Sequence, residues 1–195
     1  MAGKWKARIQ CIGAVLGIAA VAGGDPAAPE GTAALAEFLR KVPLEDGGRV
    51  VGMTGFHAGP RPRNWLVLVE AASAEGRFRE FVFDGGTVLA RRTLAPLPGQ
   101  QFPTLPIDPG GLRLSSDEAY RIGMEQARLR GAAVHSAHLQ LRIREEGHEP
   151  VWMLKLLGPA RSEAGTVYVS ARTGGILRQS WPVDRGSGRD KVSAR

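Results

Sequence analysis

Cysteine is almost missing from this chain: Cys11 is the only one in 195 residues. It sits inside an N-terminal apolar run read below as an export signal. Once that signal is removed no thiol remains. Disulfides, cysteine nucleophiles and cysteine-based zinc sites are then excluded together. Catalytic signatures are missing too. There is no Gly-x-Ser-x-Gly, no Gly-x-x-x-x-Gly-Lys-[Ser/Thr], no His-Glu-x-x-His and no EF-hand loop. No block of five or more Lys/Arg occurs, and the aromatics stand at strand-like spacing rather than among basic residues. The formal net charge of +7 is therefore read as a compositional bias toward arginine, not as a nucleic-acid surface. The longest apolar run, residues 9–22, is too short to cross a hydrocarbon core of ~30 Å comfortably as a helix.

That run, with Lys4, Lys6 and Arg8 before it and Ala20-Val21-Ala22 at its end, has the form of a cleavable signal at residues 1–22. An uncleaved N-terminal anchor and an internal helix are the alternatives. A spacer rich in proline and glycine follows at 23–30. Leu35, Phe38, Leu39 and Val42 then recur at i, i+3, i+4 and i+7, which predicts a helix from Thr32, its cap, to about Val42, with Pro43 as its stop. Strands are predicted over 49–56, 65–70 and 78–83, and a tight Asp84-Gly85 turn leads to a return strand at 87–91. Five prolines between 96 and 109 mark a linker at 95–111. Beyond it, Ser115 with Glu118 forms a capping-box signature for a second helix ending at Gly131. Ala119, Ile122, Gln126 and Leu129 are read along its apolar side. Residues 134–144 alternate, with His135, Ala137, Leu139, Leu141 and Ile143 on one face. Strands follow at 151–157 and 165–170, then a turn at Thr173-Gly174-Gly175 and a return strand. Residues 183–195 read as a disordered tail.

The two halves share this order. Trp65 and Trp152 lie 87 residues apart, Val88 and Ile176 lie 88 apart, and Thr32 and Ser116 lie 84 apart. A near-constant offset predicts a duplicated unit. The second half resembles a PepSY domain through Leu114-Ser115-Ser116-Asp117-Glu118-Ala119, the strand opened by Val151-Trp152, and the stretch Val167-Tyr168-Val169-Ser170-Ala171-Arg172-Thr173-Gly174-Gly175-Ile176-Leu177. Ser170 stands where the family usually has an aspartate; the first half keeps an acid, Asp84, in a shorter turn. The likeness covers about 31–92 and 112–181. It implies an α+β fold of two tandem cystatin-like units, 31–94 and 112–182, each a helix packed on a small antiparallel sheet. It also implies export and a non-catalytic role. PepSY-like domains occur in protease propeptides, as folding aids or inhibitors, and as stand-alone envelope proteins.

No catalytic, cofactor or metal residue is therefore assigned, and no cofactor is expected. His135 and His138, three apart on a strand, face opposite sides and do not share a metal. His148 with Glu145 and Glu146 reads as a solvated turn before a metal site. Asp84 as a general base lacks a partner in the sequence. Arg61, Arg63, Trp65 and Trp152 are the candidate partner contacts; the plainer readings are a solvated loop for the arginines and core for the tryptophans. The expectation is a periplasmic or secreted, non-enzymatic module that binds a protein or peptide, with inhibition or folding of a secreted peptidase and an enzyme of unrecognised class as alternatives.

Overall fold

The computed structural model describes residues 28–44, 48–71, 78–94 and 102–182. The predicted signal with Cys11, residues 23–27 of the spacer, 95–101 of the linker and the tail at 183–195 lie outside the described residues. The fold is α+β. Its elements run α1 (Gly31–Lys41), β1 (Arg49–Ala58), β2 (Trp65–Glu70), β3 (Phe78–Phe83), β4 (Val88–Leu94), α2 (Ser116–Leu129), β5 (Ser136–Ile143), β6 (Pro150–Leu157), β7 (Glu163–Ser170) and β8 (Ile176–Ser180). All eight strands form one antiparallel sheet in the order β4-β3-β2-β1-β5-β6-β7-β8. A helix followed by four strands thus occurs twice, and the two sets meet along their first strands, from Gly52 opposite Arg142 to Gly55 opposite Leu139. No described helix is long and apolar enough to cross a membrane.

Period-2 alternation decides which face is buried. Trp65, Val67 and Val69 on β2, Leu139 and Leu141 on β5, Trp152, Leu154 and Leu156 on β6, and Val167 and Val169 on β7 point to the helices and form one core with Ala34, Leu35 and Phe38 of α1 and Ala119 and Ala127 of α2. Each such large side chain contributes roughly 1.5–3 kcal/mol by leaving water. The opposite face carries Leu66, Leu68, His138, Gln140, Lys155 and Tyr168, all half-buried.

Several sequence expectations shift in detail. The cap of α1 is Glu30, not Thr32. Its longer side chain accepts from the Thr32 and Ala33 amides at 2.9 and 2.6 Å, and the helix starts two residues earlier than a Thr32 cap implies. The buried stripe of α2 is Ser116, Ala119, Gly123 and Ala127; Leu129, expected inside, is 62% exposed. Small residues give a weak hydropathy signal, and here they face the sheet because the helix lies close to it. The capping box at Ser115 and Glu118 forms as predicted, and Gly131 follows α2 at φ +66. The described part of the predicted linker is built into the fold. Phe102 stacks on Phe78 with ring centroids 4.4 Å apart. The Ile107 amide donates to the Val50 carbonyl at 2.8 Å, a group left free because β5 pairs with β1 only from Gly52 onward.

Candidate functional site

An antiparallel sheet that does not close leaves two edges, here β4 and β8. Each presents a row of backbone groups that no other described strand satisfies. Among the described residues, four large apolar side chains are exposed, and three of them are on these edges: Leu89 on β4, and Ile176 and Leu177 on β8. Neither strand contains an acid. On β4, Arg92 donates to Glu80 at 2.7 Å, while Arg91 is exposed and forms no ion pair among the described residues. Both edges are interrupted. The register slips between Val82 and Phe83 beside β4 and between Tyr168 and Val169 beside β8. Such bulges twist an edge and limit the length available for pairing. The regular ladder left on β4 runs from Ala90 to Leu94; on β8 it runs only from Arg178 to Ser180. β4 is therefore the longer template for an added strand.

The four residues singled out in the sequence lie elsewhere. Trp65 and Trp152 are fully buried, with ring centroids 6.1 Å apart. Their indole N–H groups donate to the Pro29 and Leu114 carbonyls at 3.2 and 3.0 Å, which satisfies the one polar atom of each ring. They hold the helix N-termini onto the sheet and present no surface to a partner. The helix starts meet above them. A Cβ on Gly31 would lie 2.7 Å from the Trp152 ring and 3.0 Å from that of Trp65, so only glycine fits without displacement. The Gly31 amide donates to Ser116 Oγ at 2.7 Å, and the Ser116 amide donates to Glu30 Oε2 at 3.3 Å. One carboxylate thus serves both helices. Arg61 extends the same junction: its Nε and Nη2 donate to Asp117 Oδ2 at 2.9 and 2.7 Å, and its Nη1 donates to the Ala28 carbonyl at 3.1 Å. It ties the β1–β2 loop to the start of α2. Arg63 is exposed in that loop. The four candidates do not converge on one site.

Asp84 and Ser170 each accept from the amides of a glycine turn. Asp84 Oδ1 accepts from the Gly86 and Thr87 amides at 2.9 and 2.7 Å, and these bonds hold its carboxyl below the usual range. Ser170 Oγ accepts from the Arg172 and Thr173 amides at 3.2 and 2.9 Å and donates to Glu149 Oε1. In the second turn the carboxylate comes from 21 residues away, from Glu149 just before β6, and reaches the turn through the Ser170 hydroxyl. Both side chains are spent on turn amides, so neither is arranged as a general base.

A further cluster was not foreseen. The register slips between Gly55 and Ala58 where β1 meets β5, and the extra residue sets both Phe56 and His57 against His138. Their rings meet the His138 ring at centroid distances of 4.9 and 4.7 Å. The His57 amide donates to His138 Nδ1 at 3.2 Å, which leaves Nε2 to carry the proton of the neutral ring. Burial, with the charges of His57, Lys155 and Arg161 added, pushes His138 down to about 4; burial and Arg161 lower His57. The sequence reading ends the strand at Phe56, whereas β1 runs to Ala58, since nothing in a Gly-Phe-His-Ala stretch announces a bulge. Among the described residues no group of three His, Cys, Asp or Glu is placed to hold a metal. No family model, no curated protein and no solved structure matches this chain.

Proposed function

We propose that the chain is an exported, non-enzymatic binding module, built as two PepSY-like units in tandem, that captures an extended segment of a protein or peptide in the cell envelope. The observation that supports it most is the concentration of exposed apolar side chains on the two unpaired sheet edges, with β4 the longer regular one. Strand addition takes its affinity from backbone hydrogen bonds and its selectivity from alternate side chains. Export rests on the signal-like residues 1–22, and the tandem-unit reading on the PepSY likeness and the repeated element order.

The test is a panel of extended peptides and envelope extracts against the purified chain, read by thermal shift and by co-purification. A binder should lose affinity when alternate backbone amides of the peptide are N-methylated, because methylation removes ladder donors and leaves the side chains in place. A charge at the bulge that flanks each ladder should weaken binding: Leu89→Asp at β4 and Leu177→Asp at β8. Absence of any binder, or a binder indifferent to both substitutions and to N-methylation, refutes strand capture. The PepSY likeness adds a narrower version, inhibition of a secreted peptidase, whose substrate cleft also takes extended chains. Slowing of such a peptidase at micromolar concentration would establish it.

A further inference from the structure

The corner around His138 is independent of the strand-capture reading, because it lies on the open face of the sheet and not on an edge. His138 projects from β5 away from the helices. Among the described residues, the charged and titratable groups around it are His57 from β1, Lys155 directly across on β6, Arg161 from the turn after β6, whose charge acts on both histidines, and Glu163 from β7, which pairs with Lys155 at 2.9 Å. Four basic groups thus converge with one acid, and that acid is itself half-exposed.

The backbone here is strained. His57, Ala160 and Arg161 have φ of 52, 55 and 60°, the left-handed region in which a non-glycine residue costs roughly 1–3 kcal/mol. They are three of the four non-glycine residues with positive φ among the described residues. Strain of this kind persists where the surroundings over-determine the conformation, and it concentrates at binding sites.

We propose that this corner is an oxyanion site, taking a carboxylate or phosphate group beside the paired His57 and His138 rings, with the Arg161 guanidinium and the Lys155 ammonium around it. A neutral His138 offers Nε2–H, Arg161 offers a planar fork suited to two oxygens, and Lys155 offers a charge that Glu163 now shares. The anion would compete with Glu163 for Lys155. It would also reverse the local field, so each histidine would hold its proton more tightly with the anion bound. Binding should therefore take up protons and strengthen as pH falls through the bound-state pKa values toward the free ones.

The experiment is an NMR titration of the histidine rings in the full chain, with inorganic phosphate in one arm. A second arm uses a short peptide with a free C-terminal carboxylate, against its C-terminal amide. The expected result is selective movement of the His57 and His138 signals, with those of His148 unmoved, and a rise of the His138 midpoint by about one pH unit, the size that a tenfold difference in anion affinity produces. Response to phosphate alone identifies a free phosphate ligand, and response to the carboxylate but not the amide identifies a chain terminus. Arg161→Gly supplies the control. Glycine accepts φ near +60° freely, so this variant should fold at least as stably yet bind at least tenfold more weakly. Uniform movement of all histidines, no movement in either arm, or undiminished binding by Arg161→Gly would each overturn the proposal.

Discussion

Counted from their N-caps, Phe38 of α1 and Gly123 of α2 occupy the same position, eight residues along. Phe38 is fully buried and packs edge-on against Phe81 and Phe83 at 5.3 and 5.5 Å. Gly123 brings no side chain at all; a Cβ there would lie 2.8 Å from Leu154 Cδ2. The strand beneath compensates. Two and four residues after its tryptophan, β2 carries Val67 and Val69, whereas β6 carries Leu154 and Leu156. In the first half the helix supplies the volume; in the second the sheet does, and the helix settles onto it. What a close-packed interior fixes is the volume filled, not which layer fills it. The caps differ in the same spirit. Ser115 and Glu118 close a capping box within one helix, while Glu30 caps its own helix and reaches across to Ser116.

The sharpest way to break this comparison is to empty the filled side. Phe38→Ala should cost about 3–5 kcal/mol, read as a fall in the urea midpoint; a loss below about 1 kcal/mol would mean that the site collapses around the gap and that Phe38 is not the filler. Overfilling the empty side is the converse. Gly123→Leu should cost about 1–3 kcal/mol by overpacking, and Leu154→Ala in the same chain should recover part of it. If the double variant is as unstable as the two losses added together, the helix and strand volumes are not exchanging. Third come the caps. Glu30→Ala should cost about 1–2 kcal/mol and Ser115→Ala about 1 kcal/mol, and a double-mutant cycle of Glu30 with Ser116 should show coupling that the cap at Ser115 lacks.

The smallest effect concerns the turns. Asp84 is held below its ordinary value near 3.9 by the Gly86 amide first and then that of Thr87. Its contribution is therefore complete above the unfolded pKa and is lost as pH falls through the folded one. Asp84→Asn should flatten the acid limb of the stability curve slightly. Ser170→Ala should lower stability without adding a slope of its own, since a hydroxyl does not ionise there. Thermal melts between pH 2 and 6 would show both; equal slopes in wild type and Asp84→Asn would remove Asp84 from the acid response.

Much of the scaffold was legible in advance. The strand at 65–70, the alternation of Ala137, Leu139 and Leu141, the capping box at Ser115 and the glycine after α2 were all readable, because each is a short-range pattern set by periodicity or by local hydrogen bonding. The stripe of α2 is legible only in part: Ala119 is buried and Ile122 packs on the core as read, but Leu129 is exposed and Gly123 lies inside. Alanine and glycine face the sheet there because of closeness of approach, which hydropathy does not encode. Of the candidate contacts, Trp65 and Trp152 take the core reading that the sequence also offers, while the pairing of Arg61 is not readable from its neighbours. Arginine in a proline loop reads as solvent-exposed, yet Arg61 finds Asp117 fifty-six residues away. His57 and His138 come together only through a bulge and a pairing of two strands far apart in the chain.

By itself the sequence determined the local elements, their repeated order and the α+β class, since these follow from neighbours a few residues apart. The tertiary structure alone decided that the first strands pair to make one sheet, that both tryptophans are covered, that β4 and β8 are the edges, and that four basic groups share a corner. Each of those depends on long-range strand pairing and register, where a slip of one residue exchanges the faces of a strand, and no short window of sequence carries that information.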